Sequence, residues 1–192
     1  MANNLHQRLR ALAQNLWWTW HPEVIRLFTD LDPHLWREVD HNPVAFLNRI
    51  SPEQIEQRAS ELVIHSRINH AFRRLNEYLA KPQTWGNVHC GNLCSRPVAY
   101  FSAEFGIHES IPIYSGGLGI LAGDYMKGAK EYDYPIVGIG IKWKQGYTDQ
   151  MIDKDGKPYD TYHNYNYDDI MEDTGMTVNV TIRGRNVACK VW

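Results

Sequence analysis

Nowhere in this 192-residue chain do apolar residues run on for the ~20 positions that a membrane-spanning helix needs, so no membrane role is expected. The opening residues, MANNLHQRLRAL, hold no hydrophobic signal core followed by a small-residue cleavage site. Basic residues never form a block either. Twenty Lys and Arg against 22 Asp and Glu leave a net charge of −2, a balance that speaks against a nucleic-acid surface. Cysteine is scarce: Cys90, Cys94 and Cys189 are an odd set without a secretory signal, which implies reduced thiols in a cytoplasmic chain, in solvent-facing loops. Cys90 and Cys94 lie near His89, but without a second pair they fall short of a zinc site, and no metal is expected. The sequon Asn179-Val180-Thr181 is chance in such a chain.

What is present is enough for a core. Apolar residues make up 43% of the chain, and the length suits one domain or one and a half. Leu5, Leu9, Leu12 and Leu16 recur at helical spacing and predict an amphipathic first helix with its leucines inward. Trp17, Trp18 and Trp20 follow; they read as rings that anchor the helix by burial, in preference to a sugar-stacking platform. His21-Pro22 breaks that helix and starts another over Glu23 to Phe28. Ser51-Pro52-Glu53-Gln54 reads as N-cap, first-turn proline and capping-box partner. Ile55, Ala59, Leu62, Ala71, Leu75 and Tyr78 then predict one long helix up to Pro82, with Glu56, Arg67, Arg73 and Arg74 on its solvated face. The domain reading is therefore a helical region over 1–82, a linker over 83–96 and an α/β region over 97–192.

In the last region the pattern becomes strand, glycine turn, helix, strand. Val98 to Phe101 and Ile136 to Ile141 are short β-prone runs, and a helix over Ile120 to Tyr132 between them makes a right-handed βαβ unit with parallel strands. The linking stretch, Tyr114-Ser115-Gly116-Gly117-Leu118-Gly119, packs three glycines into four positions. Glycine lets a backbone approach a ligand with no Cβ in the way, and a glycine turn opening into a helix presents free N–H groups and the positive end of the helix dipole to an anion. Taken alone, the same turn also serves as a tight strand-to-helix connection. Ligands of open parallel sheets gather at the carboxyl ends of the strands, where both this loop and Glu104 fall. Judged by itself, Glu104 caps a nearby turn or pairs with a lysine. The tail is antiparallel: Asp155-Gly156 marks one hairpin, and Val178, Val180 and Ile182 turn through Arg183-Gly184-Arg185-Asn186 into Val187, Cys189 and Val191 for another. Tyr159 to Tyr167, with His163 in its middle, reads as a polar-aromatic surface loop.

The run PVAYFSAEFGIHESIPIYSGGLGILAGDYMKGAKEYDYPIVGIGIKWKQGYTDQ, and before it NLWWTWHPEVIRLF, closely resembles the N-terminal region of α-glucan phosphorylases, and most of all their bacterial and archaeal branch. These are pyridoxal-phosphate enzymes that cleave glycogen, starch or maltodextrin with inorganic phosphate. The resemblance implies an α/β fold in which a helical N-terminal segment precedes part of a Rossmann-like lobe of a two-lobed, GT-B-like glycosyltransferase, with a β-hairpin extension. It implies that Gly116, Gly117, Leu118 and Gly119 bind substrate and phosphate through their backbone, and that Glu104 stands near the cofactor pocket. At Gly106 some family members carry a tyrosine that touches the cofactor, and that contact is missing here.

The resemblance also assigns the cofactor lysine, the side chains that grip phosphate and those around the sugar to regions beyond Trp192, so no catalytic residue is expected in this chain. Lys127 and Lys130 read as helix-face charges, and Lys142 and Lys144 match no cofactor lysine. The chain stops at Lys190-Val191-Trp192 within an alternating strand pattern, which reads as a truncation. Expected partners of the whole enzyme are α-1,4-glucan and phosphate, with a homo-oligomer left open. Two other readings stay open: a glycogen or starch synthase-like transferase that uses a nucleotide sugar, whose loop carries a lysine where Tyr114-Ser115 stand here, and a non-enzymatic module that binds glucan or a partner.

Overall fold

A computed structural model describes residues 4–61, 64–81 and 83–192. Its first part is a layer of short helices. Helix α1 (Leu5–Gln14) begins with a capping box, in which the Asn4 side chain accepts the Gln7 N–H at 2.8 Å and the Gln7 side chain accepts the Asn4 N–H at 3.4 Å. A 3₁₀ turn, Leu16–Trp20, leads into α2 (Pro22–Leu31). Two further helices, α3 (Pro33–Glu38) and α4 (Pro43–Arg49), carry proline in the first turn behind Asp32 and Asn42, whose side chains each accept two backbone N–H groups.

The single long helix expected from Ser51 to Pro82 is two: α5 (Pro52–Glu61) and α6 (His65–Leu79). Between them the Ile64 N–H reaches back to the Ala59 carbonyl at 2.9 Å, and Ile64 itself is fully buried. The cause is visible in the spacing. From Leu62 to Ala71 the apolar series steps nine residues, about two and a half helical turns, and so changes face, and α6 runs in the new phase through Ile68, Ala71 and Leu75. Leu62 and Pro82, assigned to that helix, lie outside the described residues. Nor is the presumed solvated face free of partners, since Arg67 pairs with Asp30 at 2.7 Å and Arg74 pairs with Glu23, both on α2.

One continuous core lies in this layer. Leu9, Leu12, Val24, Phe28, Leu31, Phe46, Ile55 and Ile68 are fully buried in it, and every member falls between Leu5 and Leu75. Trp17 and Trp18 are buried to 2% exposure, as packing requires; Trp17 stacks on His21 with ring centres 3.6 Å apart. Leu16, expected inward, is 39% exposed because α1 ends at Gln14 and the tighter turn rotates it outward.

The stretch 83–96 is folded into α7 (Trp85–His89) and α8 (Gly91–Cys94). Cys90, expected in solvent, is buried between them, whereas Cys94 is exposed. At Gly86 the chain is clamped, its N–H donating to the Tyr132 carbonyl at 2.8 Å, in a space where a Cβ would meet the Asp133 carbonyl oxygen at 1.9 Å.

Strand β1 (Val98–Phe101) pairs in parallel with β2 (Ile136–Ile139) across the crossover helix α9 (Gly117–Glu131). Strand β2 is two residues shorter than its apolar run, and α9 starts three residues earlier than expected, inside the glycine loop. The tail forms two hairpins: β3 (Thr148–Ile152) with β4 (Pro158–Tyr162), and β5 (Thr177–Ile182) with β6 (Arg185–Lys190). Their turns use left-handed residues, Gly156 at φ 79° in the first and Arg183 and Gly184 at φ 50° and 74° in the second. Tyr159 and Tyr162 thus stand in a strand, not in a surface loop, and Tyr167 at the end of that run is buried. Among the described residues the three two-stranded sheets do not join, and the class is mixed α/β. No described helix is long and apolar enough to cross a membrane.

The two parts meet at a few polar and aromatic contacts. His108 lies edge-on to Trp18 at 4.4 Å, and His41 Nδ1 is 2.8 Å from Glu109 Oε1. The Asn42 amide donates to the Asp169 carbonyl at 2.9 Å, and the Tyr78 hydroxyl donates to Glu131 at 3.0 Å.

Candidate functional site

The glycine loop is not a turn preceding a helix; it is the helix's first turn. Gly116 is the N-cap of α9, in extended backbone, and Gly117, Leu118 and Gly119 are the first three helical residues. A helix leaves its first N–H groups without an intrahelical partner. Here the Glu104 side chain faces them. Its Oε2 accepts the Ser115 N–H at 3.3 Å, and the N–H groups of Gly116 and Gly119 help to lower the carboxyl's proton affinity. Among the described residues no acceptor meets the N–H of Gly117 or of Leu118.

Glu104 is brought there by a sharp bend after β1, where the Ser102 hydroxyl donates to the Glu104 carbonyl at 2.7 Å. The carboxylate is buried, and its Oε1 accepts the Tyr147 hydroxyl. That hydroxyl, first, and then the backbone donors hold the Glu104 carboxyl below the usual glutamate range. Negative charge at the positive end of a helix dipole is favourable in itself. The capping role read from the residues alone is therefore what Glu104 performs, and among the described residues no lysine pairs with it.

Two glycines let the bend and helix meet. The Gly106 N–H donates to the Gly119 carbonyl at 2.7 Å, and a Cβ on Gly123 would stand 2.1 Å from the Gly106 carbonyl oxygen. A Cβ on Gly119 would meet Tyr114 Cβ at 2.5 Å and Glu104 Oε2 at 3.0 Å, whereas Gly116 and Gly117 have nothing within 4 Å of that position. Of the predicted loop residues, Gly119 is thus fixed by packing against Glu104, and Gly116 and Gly117 face open space. Gly106 itself has no room for a side chain, with Ile120 Cδ1 2.9 Å from its Cβ position, so a tyrosine there would need a different spacing between bend and helix.

Tyr147 was not legible as a site residue. Its only signal is its place directly after Gly146, at the end of the KQG turn. The turn is built around that glycine at φ 62°, is held by the Trp143 indole N–H donating to the Ala103 carbonyl at 3.3 Å, and takes the Tyr167 hydroxyl on the Trp143 carbonyl.

Residues 1–111 match the model of a family described as a protein of unknown function (DUF3417). The chain belongs to the DUF3417 family. This DUF3417 chain is 36% identical over 166 residues to the glycogen phosphorylase of Mycobacterium tuberculosis, an alignment covering 83% of this chain and 19% of that protein. It is 36% identical over 155 residues to the maltodextrin phosphorylase of Thermococcus litoralis, covering 81% and 18%, and 33% identical over 145 residues to the glycogen phosphorylase of Aquifex aeolicus, covering 76% and 20%. The chain spans about one fifth of the length of these curated relatives. No solved structure matches it.

Proposed function

We propose that this chain forms one wall of the active-site cleft of an α-glucan phosphorylase, and that Gly117 and Leu118 are its phosphate donors. The observation that carries this reading is the pair of open N–H groups at the first turn of a fifteen-residue helix, beside a carboxylate that accepts the Ser115 N–H. Similarity to three phosphorylases over most of the chain supports it. The reaction of the whole enzyme exchanges one bond at an anomeric carbon. A phosphate oxygen replaces the α-1,4 glycosidic oxygen of a terminal glucose, the configuration is retained, and the released glucan hydroxyl receives the proton that phosphate gives up. Fixed N–H donors aimed at phosphate oxygens serve such a step because they need no reorganisation as charge develops.

In the phosphorylase family pyridoxal phosphate supplies an acid/base phosphate group. We infer that its lysine is supplied from outside this chain. The Lys127 ammonium donates to the Ile107 carbonyl at 3.1 Å and stands over Trp20, Lys130 pairs with Asp133, and Lys142 lies over Tyr167 and Trp192. These three are engaged elsewhere, and the part proposed for the chain is to bind and orient. A Rossmann-like, two-lobed frame, α-1,4-glucan as second substrate and a cytoplasmic setting belong to the same proposal.

Gly117→Ala tests it in the full-length enzyme carrying this segment. The added methyl would stand in the open space in front of the donors, at a helix position where alanine is well tolerated. Release of glucose 1-phosphate from maltodextrin should fall on the order of 10²–10³-fold with the melting temperature unchanged. Unchanged turnover would contradict the cradle.

A further inference from the structure

The bend after β1 returns on itself, with the Phe105 N–H donating to the Ile113 carbonyl at 3.2 Å and the Ile111 N–H to the His108 carbonyl at 3.0 Å, and its tip reaches the helical layer. There the His108 ring stands 4.4 Å from that of Trp18, which is 2% exposed. The His108 Nδ1 faces the Ser110 N–H at 3.2 Å and the Ser110 hydroxyl at 3.0 Å. A backbone N–H can only donate, so Nδ1 has to accept, and the ring is neutral with its proton on Nε2. A second proton would set donor against donor. The surroundings oppose that proton as well. Burial, first, holds the His108 pKa below the ordinary 6.5; Glu109 works against this, and His41 and Lys127 add to it. None of these charges is free to follow the ring, since Glu109 Oε1 lies 2.8 Å from His41 Nδ1 and the Lys127 ammonium donates to the Ile107 carbonyl at 3.1 Å.

We propose that His108 is a proton-operated latch between the helical layer and the bend after β1: neutral, its ring seats beside Trp18 and accepts the Ser110 N–H, and on taking a second proton it leaves that seat and frees the tip of the bend from the helices. The latch needs neither phosphate nor glucan. The helical layer can release the tip without unfolding, because its core closes between Leu5 and Leu75 and includes no residue of the bend. Other contacts between the two parts stay in place, since the Tyr78 hydroxyl on Glu131 and the Asn42 amide on the Asp169 carbonyl involve no histidine. The direction with pH follows from the lowered folded value. As pH falls below about 6.5 the ring of the unfolded or released chain takes its proton first, so the hold is complete above that value and is lost as pH falls through the folded one.

The test is a titration of the whole ¹⁵N-labelled chain from about pH 8 to about pH 5, the range in which histidines change charge, with a soluble gadolinium chelate as the probe of exposure. The Trp18 indole N–H is the reporter, being buried and without an acceptor among the described residues. At the upper end the His108 ring should carry its proton on Nε2, and the chelate should leave the indole signal sharp. As His108 takes its second proton, the Ser110 amide and the Trp18 indole should shift with the same midpoint and the indole should broaden, while the core amides of Leu9, Phe28 and Ile68 stay unmoved. His108→Asn keeps a neutral acceptor near the place of Nδ1 and cannot take the charge, so the response should vanish there; in His41→Gln it should remain. A Trp18 indole that stays sharp and unmoved while His108 titrates would overturn the latch. So would a response that survives in His108→Asn, that disappears in His41→Gln, or that the core amides share. Should His108→Asn fold poorly, the unsubstituted chain still decides, because a ring proton on Nδ1 at the upper end contradicts the proposal.

Discussion

At the residue scale the glycines of α9 are of two kinds, open and packed, and only part of that distinction was open to sequence reasoning. Three glycines in four positions announced a close backbone approach, but not which of them faces open space. Gly117 has nothing near its Cβ position, whereas Gly123, which reads in sequence as an ordinary helical site where alanine would be favoured, presses against the Gly106 carbonyl oxygen at 2.1 Å. Gly123→Ala should therefore destabilise by about 1–3 kcal/mol, the usual cost of overpacking. Gly128→Ala, with nothing within 4 Å, should stabilise by up to ~1 kcal/mol. Urea midpoints of the two variants check the sign of each. Glu104 carries a pH dependence with a definite direction. Its folded carboxyl lies below the ordinary 4.5, so the unfolded chain binds the proton more readily. The stability it lends is complete above about 4.5 and is lost as pH falls through the folded value. Glu104→Gln should accordingly lose less stability than the unsubstituted chain on going from about pH 6 to about pH 3. Equal losses would show that the capping carboxylate does not stabilise the fold.

At the element scale the helix starts were the most legible feature and the helix ends the least. The signal Ser51-Pro52, a capping side chain followed by proline, recurs at Asp32-Pro33 and Asn42-Pro43, and both begin helices in the structure that the apolar periodicity alone did not mark. The break near Ile64 was hidden because periodicity was followed across a phase jump, and the folded stretch over 83–96 because glycines and cysteines suggested a linker. The βαβ unit was readable from two β-prone runs and a helical one, but its bounds were not, since the glycine loop wound into the helix. Asn42 does two tasks at once. It caps α4 through the N–H groups of Val44 and Ala45 at 2.9 and 3.0 Å, and its amide reaches the Asp169 carbonyl across the layers. Asn42→Ala should cost about 2 kcal/mol, a cap plus a hydrogen bond, whereas Asp32→Ala, which loses only a cap, should cost about 1 kcal/mol. Chemical denaturation of both variants compares them directly, and equal costs would mean that the contact to Asp169 adds nothing.

At the scale of the whole molecule the chain is uneven. Its one continuous core lies between Leu5 and Leu75, while both tail hairpins are exposed along nearly their whole length. Around the βαβ unit Phe101, Leu118, Leu121 and Val137 are 73, 60, 66 and 49% exposed. The sequence signalled alternation in the hairpins but not what the apolar side of each would face, because that depends on contacts distant in the chain. Amide hydrogen exchange should follow this division, with protection near the global stability in α1, α2 and α6 and little in β3 to β6. Uniform protection would contradict it. The central claim, that the helix end carrying Gly117 and Leu118 is a phosphate site and not merely a tight connection, is tested most directly by titrating inorganic phosphate into the ¹⁵N-labelled chain. The prediction is a saturable shift of the Gly117 and Leu118 amides, with the first-turn amides of α2 and α6 unmoved. A flat response at Gly117 and Leu118, or an equal response at every helix end, would contradict it.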